Sequence, residues 1–181
     1  MTNHTNEEFA EIRDGVRALC KEFPSQYWRE LDKEKSYPLD FVKTLTEKGY
    51  LGVLIPETFG GSGLGVSAAA VILEEIHKSG GNAAACHAQM YTMGTILRHG
   101  SSKQKSDFLP EIASGRLRLQ AFGVTEPSSG TDATRILTTA VKNKDGYLIN
   151  GQKIWTSRAE HTDLMLLLAR TSPREGDDKR H

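Results

Sequence analysis

The apolar positions in the first half of the chain recur at helical spacing. The first set is Phe9, Ile12, Val16 and Leu19. Intervals of three and four residues place these side chains on one face of a predicted helix. A second helix is expected to begin near Pro38 and to end before Gly49, because proline suits the first helical turn and glycine follows helix ends.

Three further helices are predicted before residue 116. One covers residues 66–78, and Asn82 is a candidate cap for the next, which runs to His99. Ser102 is a candidate cap for the last, which runs to Gly115. Pro110 lies inside this last pattern and should kink the helix or divide it in two, because proline lacks the amide proton and clashes with the preceding turn.

Beyond residue 117 the pattern changes to that of strands. Candidate strands cover residues 120–125, 136–142, 147–149, 153–157 and 164–169. Asp145-Gly146 and Asn150-Gly151 lie between the middle strands, and Asn-Gly is the strongest short signal for a hairpin turn. The predicted fold class is α+β: an all-helical domain, residues 1–117, followed by a partial antiparallel β-barrel-like domain, residues 118–181. The charged residues 172–181 supply no completing strand, so we expect the chain to stop inside a domain.

Composition excludes several functional classes. Lys and Arg number 23 and Asp and Glu also number 23, which argues against a broad nucleic-acid surface. Cys20 and Cys86 make no disulfide framework, and the polar residues 1–13 do not resemble a signal peptide. The longest apolar run, residues 164–169, is too short to cross a bilayer. We therefore expect a soluble, cytoplasmic protein without a membrane span.

The stretch most suggestive of chemistry is residues 119–132, LQAFGVTEPSSGTD. Pro127 disfavours helical backbone at Glu126, so the strand should end with Thr125 at its tip. The loop beyond carries hydroxyls and backbone donors, and Gly130 allows a ligand to approach the backbone closely. On these residues alone, an ordinary strand-to-loop exit is the favoured interpretation.

A second stretch, residues 146–157, changes that interpretation; it reads GYLINGQKIWTS. Together the two stretches resemble the acyl-CoA dehydrogenase family, with its patterns aromatic-x-apolar-Thr-Glu-Pro-x-x-Gly-Ser-Asp and Asn-Gly-x-Lys-x-Trp-Ile-Thr-Asn. The resemblance covers nearly the whole chain and includes residues 49–52, GYLG, and 55–61, IPETFGG. It implies the N-terminal domain and part of the middle domain of that family, without its C-terminal helical bundle.

The resemblance implies flavin-dependent α,β-dehydrogenation of acyl-CoA to 2-enoyl-CoA in fatty acid metabolism. In the family a glutamate removes the α-proton, FAD receives the β-hydrogen as hydride at N5, and an electron-transferring flavoprotein collects the electrons. The protein orients and tunes the flavin, while the cofactor supplies the redox chemistry. A homo-oligomer, dimer or tetramer, is also implied for the full-length protein.

The resemblance also implies which residues contact the cofactor. They are Phe122, Val124, Thr125, Gly130, Thr131, Trp155, Thr156 and Ser157. Thr125 should donate to the polar edge of the flavin, Trp155 should pack on the ring system, and Ser157 should donate near N5. Gly130 and Thr131 should contact the flavin phosphates or the CoA chain, so Thr131 is also a candidate substrate contact.

Four positions depart from the family patterns. Thr131 stands where serine is usual, Thr156 replaces isoleucine, Ser157 replaces threonine and Arg158 replaces asparagine. The hydroxyl groups at 131 and 157 are retained, so flavin remains the implied cofactor, but the subfamily stays open. Met90, Tyr91 and Met93 are predicted to be core or helix contacts, on a helix that borders the acyl pocket if the resemblance holds.

No glutamate of the chain matches the family's catalytic base, so we assign no catalytic residue and no metal ligand. The full-length protein is expected to be an enzyme and this chain alone to be inactive. Two alternatives remain open. One is an oxidase or flavin monooxygenase on the same fold, and the other is a truncated, non-catalytic fragment that holds no flavin.

Overall fold

A computed structural model describes residues 9–173 of the chain. The chain divides into two compact units between Gln120 and Ala121. The described part of the first unit contains six α-helices. They are α1 (Ala10–Cys20), α2 (Ser25–Glu34), α3 (Leu39–Glu47), α4 (Val66–Lys78), α5 (Ala84–His99) and α6 (Ser102–Ser114). Short 3-10 turns at Tyr50–Gly52 and Glu57–Phe59 connect α3 to α4.

The spacing of apolar residues predicts most of these helices correctly. The predictions of α1, α3 and α4 are confirmed, and α4 has the predicted bounds. The N-cap of α5 is Ala83 and not the predicted Asn82, although the Asn82 side chain accepts a hydrogen bond from the Ala84 amide at 2.9 Å. The predicted helix from Ser102 is confirmed as α6, but its cap is Ser101, whose hydroxyl accepts from the Gln104 amide at 3.2 Å in a capping box.

Pro110 does not divide α6, so the predicted split is wrong. The helix is continuous from Ser102 to Ser114 with the proline inside it. Leu109 and Ile112, on either side of Pro110, are fully buried. Burial of two large apolar side chains contributes about 3–6 kcal/mol, which offsets the roughly 3 kcal/mol cost of an interior proline.

The helix α2 has no counterpart in the predicted pattern. None of its residues is fully buried; its apolar side chains, Tyr27, Trp28 and Leu31, are half-buried on one face of a short and mostly polar helix. Its position is determined by aromatic contacts: the rings of Trp28 and Phe41 meet edge to face at 4.8 Å, and those of Phe23 and Phe41 at 5.1 Å. The Trp28 indole also donates to the carbonyl of Phe23 at 3.1 Å. Tertiary packing, rather than periodicity, therefore stabilises α2.

The first unit is organised around one apolar core. Its fully buried members include Val16, Phe41, Leu45, Leu51, Ala68, Ile72, Ile76 and Cys86. These residues come from α1, α3, α4, α5 and the first 3-10 turn, so the core joins elements that are distant in sequence. Met90 belongs to this core and Met93 is also fully buried, which confirms their predicted packing role.

A buried carboxylate joins α1 to α4 beside this core. Glu75 is 1% exposed and accepts hydrogen bonds from Arg17 Nε (2.7 Å) and Arg13 Nη1 (2.5 Å). The bonds from Arg17 and Arg13 outweigh the effect of burial and lower the pKa of Glu75 to about 2. Lys78 and Arg13 also contact Glu74 at 2.8 and 2.7 Å, so Glu74 belongs to the same ionic cluster.

In the described part of the chain, four short strands follow the helices. They are β1 (Leu119–Gly123), β2 (Thr139–Lys142), β3 (Tyr147–Asn150) and β4 (Leu164–Leu167). Among the described residues, β1 pairs with β4, and β2 pairs with β3 in antiparallel register from Thr139↔Asn150 to Lys142↔Tyr147. The α+β prediction is confirmed, but both sheets are two-stranded and open, so no closed barrel is formed by residues 9–173.

The second predicted hairpin, around Asn150-Gly151, is wrong. Residues 153–157 form no strand, because Trp155 has a left-handed backbone (φ 60°) that a strand cannot contain. Asn150 instead ends β3, and the turn that reverses the chain lies at Asp145-Gly146, where the Asn143 amide donates to the Gly146 carbonyl at 2.9 Å. Of the other predicted strands, β1 begins one residue earlier than expected and ends at Gly123 instead of Thr125, β2 and β4 are shorter, and β3 is one residue longer.

Within residues 9–173, no helix combines the length and the apolar character needed to span a membrane. The charged segment predicted to follow the sheet lies mostly outside the described residues.

Replacing Glu75 by glutamine should lower the stability of the first unit by about 1–3 kcal/mol, because two arginines lose their charged partner. The folded-state pKa of about 2 lies below the usual 4.5. The contribution of Glu75 should therefore be complete above pH 4.5 and should disappear as the pH falls towards 2. Urea denaturation of both proteins between pH 2 and 7 measures this difference.

Glu47→Gln is the matched control, because Glu47 forms an exposed pair with Lys43 at 3.9 Å. Such pairs contribute little, so this variant should unfold like the parent at every pH. Equal destabilisation by both substitutions, or a Glu75 effect that does not depend on pH, would contradict the prediction.

Candidate functional site

The two motifs are joined by a buried ion pair in the second unit. Lys153 Nζ lies 2.8 Å from Glu126 Oε1, and the side chains are 8% and 3% exposed. The same ammonium group donates to the carbonyl of Val124 at 2.9 Å. Lys153 therefore connects the motif around residue 153 to the end of the strand that precedes Glu126.

Glu126 is held by backbone donors as well as by Lys153. Its Oε2 accepts from the Leu137 amide at 2.6 Å, and its Oε1 accepts from the Thr138 amide at 2.9 Å. Burial alone would raise the pKa of Glu126, but the hydrogen bonds from Lys153 and these amides lower it to about 2. A carboxylate with so low a pKa accepts protons poorly near neutral pH, so its chemistry is that of an anchor rather than a general base.

The loop after Glu126 is folded back by its own hydrogen bonds. The backbone groups of Glu126 and Ser129 bond to each other in both directions, at 2.9 and 3.1 Å. The Ser129 hydroxyl donates to the Asp132 carbonyl at 2.6 Å, and the Asp132 carboxylate accepts from the Thr134 amide at 3.2 Å. These hydrogen bonds within the loop define its shape.

Some of the predicted cofactor contacts are brought side by side. The Ile154 amide donates to the Thr125 carbonyl at 2.9 Å, which places the tip of the first motif beside the second. Thr125, Val124 and Thr156 are half-buried, and Ser157 is exposed. Half-buried hydroxyls at this edge leave donors available to a polar ligand.

The aromatic members of the predicted set project into solvent. Trp155 is 84% exposed and Phe122 is 41% exposed. Exposure of an indole on a left-handed, non-glycine backbone is uncommon and is a feature of binding sites. Gly130 and Thr131 are also exposed, and a Cβ built at Gly130 would meet no atom within 4 Å. Among the described residues, no hydrogen bond joins Gly130 or Thr131 to residues 155–157.

Sequence reasoning did not identify three residues that hold this site in place. Glu126 and Lys153 lie 27 positions apart, and their opposite charges in two matched motifs were the available signal. Arg170 has no motif around it, yet its Nε donates to the Ile136 carbonyl at 2.9 Å and it also bonds to the Thr134 carbonyl. Its backbone bonds to Thr138 and Ala140 at 2.8 and 2.7 Å. Arg170 thereby fixes the segment that carries the amide donors to Glu126.

A separate groove of about 480 Å³ lies between α4 and α5 in the first unit. Ala69 and Leu73 from α4 and Met90, Tyr91 and Gly94 from α5 form much of its lining. The predicted helix around Met90 therefore does border a largely apolar cavity, of a size typical for ligand sites.

Family profiles match both units in chain order. The profile of the acyl-CoA dehydrogenase N-terminal domain matches residues 6–116. The profile of the acyl-CoA dehydrogenase middle domain matches residues 121–181. The chain belongs to the acyl-CoA dehydrogenase family, and the resemblance inferred from its two motifs is confirmed.

Individual relatives agree with this assignment. An acyl-CoA dehydrogenase of Bacillus subtilis (strain 168) is 31% identical over 175 residues, which are 96% of this chain and 46% of the relative. Glutaryl-CoA dehydrogenase of Desulfococcus multivorans is 34% identical over 172 residues, which are 92% of this chain and 43% of the relative. The acyl-CoA dehydrogenase structure from Geobacillus kaustophilus matches with a TM-score of 0.86 at 28% identity, over 97% of this chain and 46% of that one. The chain thus spans less than half the length of these relatives.

Replacing Lys153 by methionine should destabilise the second unit by about 3–5 kcal/mol, because Glu126 is then a buried charge without its cation. The amides of Leu137 and Thr138 should exchange with solvent faster as their acceptor is displaced. Hydrogen exchange followed by mass spectrometry or NMR measures this directly. Lys144→Met, on the hairpin between β2 and β3, is the control and should leave exchange at both amides unchanged. Unchanged protection in the Lys153 variant would show that the pair is dispensable.

Gly151→Ala should also destabilise this unit, whereas Gly130→Ala should not. A Cβ at Gly151 would lie 2.6 Å from Thr138 Cα and 2.3 Å from Thr138 Oγ1, and the backbone φ there is +152°. Overpacking of this kind costs about 1–3 kcal/mol. Thermal unfolding of the two variants compares a crowded glycine with an open one, and equal melting temperatures would contradict the packing described here.

Proposed function

We propose that this chain is the N-terminal portion of a flavin-dependent acyl-CoA dehydrogenase, which converts acyl-CoA to 2-enoyl-CoA. The observation that carries the proposal is the buried Glu126–Lys153 pair, which joins both family motifs and leaves Thr125 and Trp155 at one edge. Family membership supports the activity, but the chain covers less than half of its relatives, so the catalytic base is assigned to no described residue.

The residues present fit an FAD site. An exposed indole at Trp155 and an exposed ring at Phe122 offer apolar surface to a flat heteroaromatic ring. Thr125, Thr156 and Ser157 offer hydroxyls for its polar atoms, while Val124 lies next to Thr125, just beyond the end of β1. Bound FAD would supply the hydride-accepting chemistry. This chain's own part would be to orient the ring and to donate hydrogen bonds where negative charge develops.

The open loop fits the phosphate or CoA end of a ligand. Gly130 leaves room above the backbone, and the neighbouring Thr131 hydroxyl is exposed. We propose that both contact the flavin phosphates or the CoA chain, with Thr131 as the substrate contact. The hydrogen bonds between Glu126, Ser129 and Asp132 support this proposal, because a loop held by its own hydrogen bonds binds at a lower entropic cost.

The substrate is proposed to be an acyl-CoA whose chain lies in the groove between α4 and α5. Its apolar lining is suited to an alkyl chain. Relatives of similar identity include a glutaryl-CoA dehydrogenase, an isovaleryl-CoA dehydrogenase and a cyclohex-1-ene-1-carbonyl-CoA dehydrogenase. Their names describe different acyl groups, so none transfers to this chain by similarity alone.

Further features of the whole protein are proposed from the family. They are a functional division near residue 117, a homo-oligomer (dimer or tetramer), a cytoplasmic location, a role in fatty acid metabolism and electron transfer to an electron-transferring flavoprotein. One matched structure, from a study of the electron-transferring flavoprotein of Acidaminococcus fermentans, has a TM-score of 0.84 and 30% identity, which supports the last of these.

The 181-residue chain should bind flavin weakly and should not oxidise acyl-CoA, whereas the protein from the complete natural reading frame should do both. Loss of the general base alone costs roughly 10²–10⁴-fold in rate. Flavin absorbance and dye-linked acyl-CoA oxidation measure the two properties. Trp155→Ala in the complete protein should lower flavin affinity, whereas Tyr147→Ala, at an exposed aromatic outside the site, should not.

Robust turnover by the short chain would place the base within it and contradict the residue assignments. If the protein from the complete reading frame contained no flavin, the proposed function would be contradicted. Reoxidation by air distinguishes the family's chemistries: slow reoxidation after anaerobic reduction supports a dehydrogenase, and rapid reoxidation supports an oxidase.

A further inference from the structure

The groove between α4 and α5 carries charge of only one sign. Most of its lining is apolar, but Arg98, His99 and His87 also line it. Among the described residues that form its walls, none is acidic. An apolar cavity whose lining includes cationic and imidazole side chains but no carboxylate favours a ligand that joins an apolar body to an anionic group.

Arg98 is the cation available to such an anion. It is exposed in the last turn of α5, and within residues 9–173 it makes no ion pair or side-chain hydrogen bond. The last turn of a helix favours a basic residue, which accounts for a cation there but not for the absence of acidic residues in the lining. Other arginines of this unit differ: Arg13, Arg17 and Arg116 are each paired with carboxylates at 2.5–3.2 Å.

The length of the groove separates its apolar middle from this cation. His87 and Arg98 are eleven positions apart on α5, which corresponds to roughly 16 Å of helix rise. Met90, Tyr91 and Gly94 lie between them on the groove wall. A chain bound along α5 would contact apolar side chains first and reach the guanidinium at one end.

We propose that the groove selects acyl chains that end in a carboxylate, with Arg98 as the residue that binds this ω-carboxylate. The inference rests on the proposed acyl-CoA function and names the substrate class within it. A guanidinium presents two parallel N–H donors that match the two oxygens of a carboxylate. The apolar wall selects the alkyl segment and Arg98 selects its charged end.

Binding can be measured without turnover by using unreactive thioether analogues. S-(5-carboxypentyl)-CoA and S-hexyl-CoA have chains of equal length and differ only in the terminal carboxylate. Calorimetry on the protein from the complete natural reading frame should give tighter binding for the carboxylated analogue. Arg98→Met should weaken the binding of that analogue by about tenfold or more. The affinity for S-hexyl-CoA should stay within about twofold of the parent. Arg98→Lys should recover part of the loss, because lysine restores the positive charge but not the two parallel N–H donors.

Arg29→Met is the matched control. Arg29 is an exposed arginine on α2 that does not line the groove, and its side chain donates to the Ser25 hydroxyl at 3.1 Å. This variant should bind both analogues like the parent. Equal weakening of both analogues by Arg98→Met would assign the arginine to the CoA phosphates and overturn the proposal. Unchanged binding of the carboxylated analogue would also overturn it.

A parallel assay with adipyl-CoA and hexanoyl-CoA separates this inference from the proposed function. Oxidation of both thioesters without any carboxylate preference leaves the dehydrogenase function standing and overturns the role of Arg98. Oxidation of neither thioester, together with binding of the carboxylated analogue that depends on Arg98, overturns the dehydrogenase function and supports the role of the groove.

Discussion

The second unit depends on one buried ion pair, Glu126–Lys153. Its short strands supply few ladder hydrogen bonds, and most of its apolar side chains remain exposed. The pair and the amides of Leu137 and Thr138 instead tie together three segments that are distant in sequence. Because a buried carboxylate is costly unless it is hydrogen-bonded and paired, moving any of these segments away from Glu126 would be strongly unfavourable. The edge that presents Thr125 and Trp155 is therefore a consequence of electrostatics more than of sheet formation.

The first unit also contains a buried carboxylate that is paired with basic side chains. Glu75 is buried against Arg13 and Arg17, as Glu126 is against Lys153, and both carboxylates have a pKa near 2. In the helical unit, however, the ionic cluster lies beside a large apolar core that stabilises the fold independently. The two units thus differ in how much of their structure would survive the loss of the buried charge.

The sequence predicts those features that depend on local spacing. The helix α4 could be placed from its apolar face and its flanking glycines, and the motifs around Glu126 and Lys153 identified the family. Features that depend on distant contacts could not be found this way. The helix α2 is polar and is held by the ring of Phe41, and the left-handed backbone at Trp155 removes a strand that the Asn-Gly signal favoured. No sequence motif indicates the contacts of Arg170.

The chain has two tryptophans, and each unit contains one of them. Trp28 is packed edge to face against Phe41 and Tyr27 in the first unit, whereas Trp155 is 84% exposed in the second. Their indoles therefore experience surroundings of very different polarity, and the intrinsic fluorescence of the protein combines a shielded emitter with a hydrated one. Trp28 therefore reports on the integrity of the first unit, whereas Trp155, already hydrated in the folded protein, reports on any molecule that covers it.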